Sequence, residues 1–223
     1  MKKKSYHHGN LREALVEAAH EILAADGVAG LSLRKVALRA GVSAPALYSH
    51  FEDKRALLAV LATQGFEWLA ASMEAESAKD AEDSSRATAG LPGLALAYVN
   101  FALENSSLFQ LMFGREVGSL LDFPALVEAG TRCYGLRAES VGAQLKATGS
   151  SDSLAISATA AWSVVHGLST LLIDGRVDAA SCGVDSNDEL ILRVCQTLTF
   201  AVAGRKGGGS PVRCRGWQCR SRS

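Results

Sequence analysis

Between Ser32 and Phe51 two short apolar stripes are separated by only three residues, Gly41-Val42-Ser43. Leu33, Val36, Ala37 and Ala40 form the inner face of a first helix capped by Ser32. Leu47 and Phe51, four apart, are the inward residues of a second, capped by Ser43, with Pro45 in its first turn, where proline is tolerated. Val42 plugs the turn against Ala37 and Leu47. Two short helices joined so tightly through a glycine carry the helix-turn-helix signature, a pattern that many other αα-hairpins share.

A longer amphipathic helix precedes the pair. Leu11, Ala14, Leu15, Ala18, Ala19, Ile22 and Leu23 fall on one face. Asn10 with Glu13 reads as its capping box and Gly27 as its stop. The chain has four prolines, 48% apolar residues and little apolar–polar alternation, so the expected fold is all-α, with about nine helices.

The second helix of the pair leaves Ala44, Pro45, Ala46, Tyr48, Ser49 and His50 facing outward. A helix so faced fits the major groove of double-stranded DNA. Ala44 and Ala46 let the backbone near base edges and can meet a thymine methyl. Tyr48 and His50 can donate to phosphates, and Lys54 opens the next helix, where free N–H groups also attract phosphate. Arg34, Lys35 and Arg39 point away from the inner face of the first helix. The candidate DNA contacts are therefore Ser32, Arg34, Ser43, Ala44, Pro45, Ala46, Tyr48, His50 and Lys54.

Charge follows the same division. Residues 1–55 hold nine Lys/Arg against six Asp/Glu, residues 56–204 eight against seventeen, and residues 205–223 six against none. A net charge of zero thus hides basic ends and an acidic body, which suits nucleic-acid contact by one part only or a plain solvated surface.

The stretch LSLRKVALRAGVSAPALYSHFEDKRALL resembles the N-terminal domain of the TetR/AcrR family of bacterial regulators. Gly41-Val42-Ser43, the run Tyr48-Ser49-His50-Phe51 and Lys54 carry the resemblance over about residues 10–58. It implies three helices, the third reading DNA, with Tyr48, His50 and Lys54 anchoring phosphates. It also implies a long linking helix, expected from Asp53 to about Ala78, and a homodimer paired through its last two long helices. The expected domains are a head at 8–58 with its helix-turn-helix at 32–51, a ligand-binding and dimerising helical bundle at 59–203, and a basic tail at 204–223.

Beyond that helix, residues 79–90 read as a polar loop, Pro92 opens a helix, and others are expected near 123–147, 154–173 and 188–203. Residues 154–173 are apolar on two faces, so one side can meet the core and the other a partner subunit. The interface is expected at Leu154, Ala158, Ala161, Val165, Leu168 and Leu172, joined by Ile191, Val194 and Leu198. The run AWSVVHGLSTLLIDG resembles a subgroup of the family marked by Trp-x3-His-Gly. Trp162 and His166 are candidates for a small-molecule pocket or for an ordinary satisfied core pair. Phe101, Met112, Phe113 and Tyr134 are softer candidates for the same pocket.

The expected activity is DNA-binding transcription regulation, with repression from a palindromic operator relieved by an unidentified effector. An architectural DNA coater and an enzyme on a helical scaffold are the rivals. Against the enzyme, the chain has no HExxH, no phosphate loop, no paired catalytic carboxylates and no nucleophile with an obvious base. No cofactor or metal is expected. The five cysteines are odd in number and scattered, and Cys214 and Cys219 lack a second pair. The uncharged stretch 153–173 is long enough to span a membrane, but four Ser, two Thr and His166 suit a buried bundle helix better. No apolar run follows the N-terminal lysines, so the expected location is the cytoplasm. The tail, rich in Gly, Ser and Arg, is expected to be disordered and dispensable for recognition.

Overall fold

The computed structural model describes residues 11–82, 90–149 and 151–203, with the backbone alone at 80, 81 and 198–203. Among the described residues there are nine α-helices and no strand: α1 (Leu11–Gly30), α2 (Leu33–Arg39), α3 (Ala44–Tyr48), α4 (Lys54–Glu82), α5 (Leu91–Glu104), α6 (Ser106–Phe113), α7 (Pro124–Thr148), α8 (Leu154–Ile173) and α9 (Asn187–Ala203). The all-α architecture expected from the periodicity is the one observed.

In α1 the expected stripe is buried, with Leu15 and Ala19 wholly enclosed. Gly27 takes φ 67°, a left-handed conformation open to glycine, and kinks the helix before a last turn to Gly30. Asn10 lies outside the described residues, as does the tail at 204–223. The polar loop expected at 79–90 begins later than its composition suggested, because α4 stays helical to Glu82. Asp53 caps α4, accepting from the Ala56 amide at 2.7 Å.

Helices α1–α3 form the head. The body is α5, α7, α8 and α9, with α4 running from one to the other. Asn105 divides the stretch after Pro92 into two helices, its amide hydrogen-bonding the Phe101 carbonyl. The short α6 that follows packs on both α1 and α4. A Cβ on Gly65 of α4 would stand 2.6 Å from Met112 Sδ of α6, so a larger residue there would have to push the Met112 side chain aside. One continuous apolar core therefore runs from Leu11 in the head to Cys195 in α9.

Candidate nucleic-acid interface and the body cavity

The head presents α3 as designed by its caps. Ser32 accepts from the Lys35 amide at 3.2 Å and Ser43 from the Ala46 amide at 3.4 Å, which fixes where α2 and α3 begin. Gly41 turns the chain at φ 70°, and Val42 donates its amide to the Ala37 carbonyl at 2.9 Å. Leu47 and Phe51 are buried beneath, while Ala44, Pro45, Tyr48, Ser49 and His50 face solvent. Ala46 is a correction: it is half-buried and packs on the head core. The reason is angular, since successive residues differ by about 100° around a helix, and position 46 therefore borders the face of Leu47.

Electrostatics narrows the reading surface further. Lys35 pairs with Asp26, and Arg39 with Glu21 at 2.6 Å, so two of the three cations of α2 are turned toward α1. Among the described residues Arg34 has no acidic partner and stays exposed. Lys54 is half-buried and its Nζ donates to the Val28 carbonyl at 3.2 Å. An ammonium has three donors, so two remain for a phosphate.

In the body, Trp162 and His166 of α8 meet Tyr98 of α5. The Trp162 indole N–H donates to the Tyr98 oxygen at 3.2 Å. That leaves the phenol proton for His166 Nδ1, at 3.0 Å. Burial, and then the Arg137 charge, hold the His166 imidazole below its ordinary pKa and therefore neutral, as an acceptor must be. Burial is also the main cause that raises the Tyr98 phenol well above its ordinary value. Phe109 and Phe113 of α6 close the cluster, Phe113 with its ring centre 4.6 Å from His166.

Beside this cluster is a cavity of about 30 Å³ lined by Met73, Leu91, Leu94, Ala95, Tyr98, Arg137, Val141, Ala161, Trp162, Val165 and Cys195. Of the six pocket candidates read from the sequence, Trp162 alone lines it. His166 and Phe113 stand against Trp162 in the aromatic cluster. Phe101 and Met112 are buried elsewhere in the core, Met112 against Gly65, and Tyr134 is largely exposed. Arg137 was missed, although the sequence holds a signal for it. The buried stripe of α7 is Leu126, Ala129, Cys133, Val141 and Leu145, and Arg137 stands in its gap.

The dimer face also needs correction. Ala158, Leu168 and Ile191 are buried inside the protomer, and Ala161, Val165, Leu172 and Val194 pack against its own core. The stripe expected to meet a partner instead faces α5 and α7, because the helix needs its most regular apolar face for its own bundle. Only Leu154 of that stripe is exposed, and the Leu198 side chain lies outside the described residues. The face turned outward carries Ile156, 72% exposed, and Leu171, 44% exposed.

A three-helix head with a capped, outward α3, set on a helical body, defines a helix-turn-helix DNA-binding transcription regulator. Comparison with known proteins gives the family. Residues 15–61 match the domain described as bacterial regulatory proteins, tetR family, and residues 91–198 the tetracyclin repressor-like C-terminal domain. The chain is 53% identical over 51 residues to the tetracycline repressor protein class C of Escherichia coli, covering 23% of each chain. It is 32% identical over 102 residues to the uncharacterized HTH-type transcriptional regulator YobS of Bacillus subtilis (strain 168), covering 46% of this chain and 51% of that one. The match thus spans about half or less of these curated relatives. A solved structure from Rhodococcus sp. RHA1, titled as a protein with unknown function, is 35% identical with a TM-score of 0.75, over 90% of this chain and all of that one. The chain belongs to the tetR family of bacterial regulatory proteins. The family's members are transcription factors rather than enzymes. The body's matching description does not name the Trp-x3-His-Gly subgroup.

Proposed function

We propose that the protein is a cytoplasmic, homodimeric repressor that leaves a palindromic operator when a small molecule occupies its body. The observation that carries this reading is α6. Phe109 and Phe113, four apart on one face, lie against the Tyr98–His166–Trp162 cluster, and the same helix packs on α1 of the head and, through Met112, on Gly65 of α4. A ligand that displaces Trp162 therefore pushes on the element that seats the head. Two packings of such a helix would present α3 at two spacings, and DNA would select one of them. The ligand's affinity and the operator's must then oppose each other by the same factor.

Dimerisation is supported by the outer face of α8. The most apolar 18-residue stretch of α8 has a mean hydropathy of 1.4, like the 1.3 of the corresponding stretch of α4, yet 22% of it is buried in the protomer against 56% of the α4 stretch. Both helices are long and apolar enough to cross a membrane. A second copy covering Ile156 and Leu171 would remove the outer apolar face of α8 from water and set two α3 helices for successive major grooves.

The test is a screen for compounds that displace the full chain from its operator, repeated on Trp162→Ala. Displacing compounds should lose about tenfold or more in potency on the variant, as a buried aromatic contact is lost, with operator affinity little changed. Equal potency of every such compound on both proteins would remove the cavity from the mechanism.

A further inference from the structure

Arg137 interrupts an apolar stripe. It lies on the buried face of α7, one helical turn from Cys133 and one from Val141. Its Nε is sealed from solvent and has no hydrogen-bond partner among the described residues. The guanidinium stacks over Trp162 at 4.9 Å and over Tyr134 at 5.7 Å, contacts that hold it in place without balancing its charge. Among the described residues the groups that act on that charge are Tyr98, Cys133 and Tyr134, none of them a carboxylate. Desolvation accordingly lowers its affinity for the proton.

Acids are not scarce in the body. Residues 56–204 hold seventeen, and Arg132, on the same helix, grips Glu74 with two bonds of 2.8 and 2.6 Å. A half-buried guanidinium without a counter-charge destabilises a fold, so its presence at a cavity points to an anion supplied from outside. Apart from the sulfurs of Met73 and Cys195, the rest of the described lining is aliphatic or aromatic, including Leu94, Val141, Ala161 and Val165. Among the described residues no second cation lines the cavity, which suits a single negative charge rather than a phosphate dianion.

We propose that this cavity binds a small organic monoanion: a carboxylate gripped by Arg137, attached to an aliphatic or aromatic body lying against Leu94, Val141 and Trp162. As it stands, the cavity of about 30 Å³ has room for about one or two waters. The ligand therefore enters by moving its walls. Met73, unbranched and adaptable, and Trp162 are the residues placed to yield. Movement of Trp162 reaches Phe113 on α6, which links the anion to the release described above. That regulatory consequence rests on the ligand-release reading, whereas the binding itself does not.

The test uses the full chain and a fixed panel: hexanoate, octanoate, phenylacetate and 4-phenylbutyrate, each paired with its neutral amide. Calorimetry and thermal melting should show at least one acid binding about tenfold or more tighter than its amide, the usual advantage of a charge-assisted bond. Arg137→Gln should abolish that preference, and Arg137→Lys should keep part of it. Without ligand, Arg137→Met should melt no lower than the wild type, because no ion pair is lost. Acids binding no better than amides, or no binding by any acid, would overturn the proposal. So would an acid preference that survives in Arg137→Gln. Should Arg137→Gln not fold, the wild-type comparison of acids with amides and the Arg137→Lys variant decide alone. Operator release is read separately. An acid that binds through Arg137 without releasing DNA leaves the anion site standing and removes the ligand-release reading. A neutral compound that releases DNA from Arg137→Gln and wild type alike, with no acid preferred over its amide, does the reverse.

Discussion

In the head most apolar side chains are inside and the cations outside, Leu38 of α2 being exposed, whereas the body turns a cation inward and leaves apolar residues of α8 in water. Leu15, Leu23 and Leu47 are enclosed in the head while Arg34, Tyr48 and His50 face solvent. In the body Ile156 and Leu171 stand in water, and Arg137 and His166 are turned inward. Each reversal marks a surface that a second molecule would complete: apolar residues outside call for another copy, and a cation inside calls for an anion. The head needs no such completion to fold. The DNA proposed as its partner would meet a small exposed face of α3 flanked by polar groups that water already satisfies.

The largest test of this contrast compares two leucines three residues apart on α8. Leu171→Glu should leave the protomer folded and helical but give monomers in sedimentation. Operator affinity should then fall by about 10²–10⁴-fold, the advantage that linking two half-site contacts supplies. Leu168→Glu buries a charge in the protomer core and should instead lower stability by about 3 kcal/mol or more. An unchanged dimer in Leu171→Glu would mean that some other surface pairs the copies.

A smaller effect is expected at Lys54. A phosphate contact carries no base information, so Lys54→Ala should weaken operator and random DNA by similar factors. The slope of log K against log salt should lose about one unit per subunit. An unchanged slope would confine Lys54 to its bond with the Val28 carbonyl and to holding α4 against α1.

The smallest concerns pH. His166 is held neutral, its pKa depressed first by burial and then by Arg137. A depressed imidazole binds fewer protons in the folded than in the unfolded chain. Its contribution is therefore complete above its ordinary value of about 6.5 and is lost as pH falls below it. Melting temperature should decline through that window in the wild type and less steeply in His166→Gln. Parallel curves would show that His166 does not govern the body's acid response.

The head was legible in sequence because its constraints are local. Ser32 and Ser43 cap helices a few residues long, Gly41 must turn left-handed, and Leu47 and Phe51 fix which way α3 faces. The half-burial of Ala46 escaped only because five residues leave the edge of a face undefined. In the body the helices at 154–173 and 187–203 were readable, but not which face met which neighbour. Both faces of α8 are apolar, and sequence periodicity cannot say which is the protomer's own. The regular stripe of Leu168 and Val165 turned out to be the inner one. Arg137 was readable as a break in the α7 stripe only once that stripe was known to be buried. Phe101 and Met112, chosen for their type, proved to be core, the usual place for such residues at helical spacing.

The central claim is that α3 reads bases while the rest of the head holds the backbone, and selection of genomic DNA fragments tests it most directly. Wild-type protein should enrich fragments sharing one palindrome. Ala44→Leu, whose added bulk meets a base edge and leaves most phosphate contacts in place, should lose about 1–3 kcal/mol on that palindrome and little on random DNA. Enrichment of no common sequence, or an Ala44→Leu protein that keeps the same palindrome at full preference, would contradict the account.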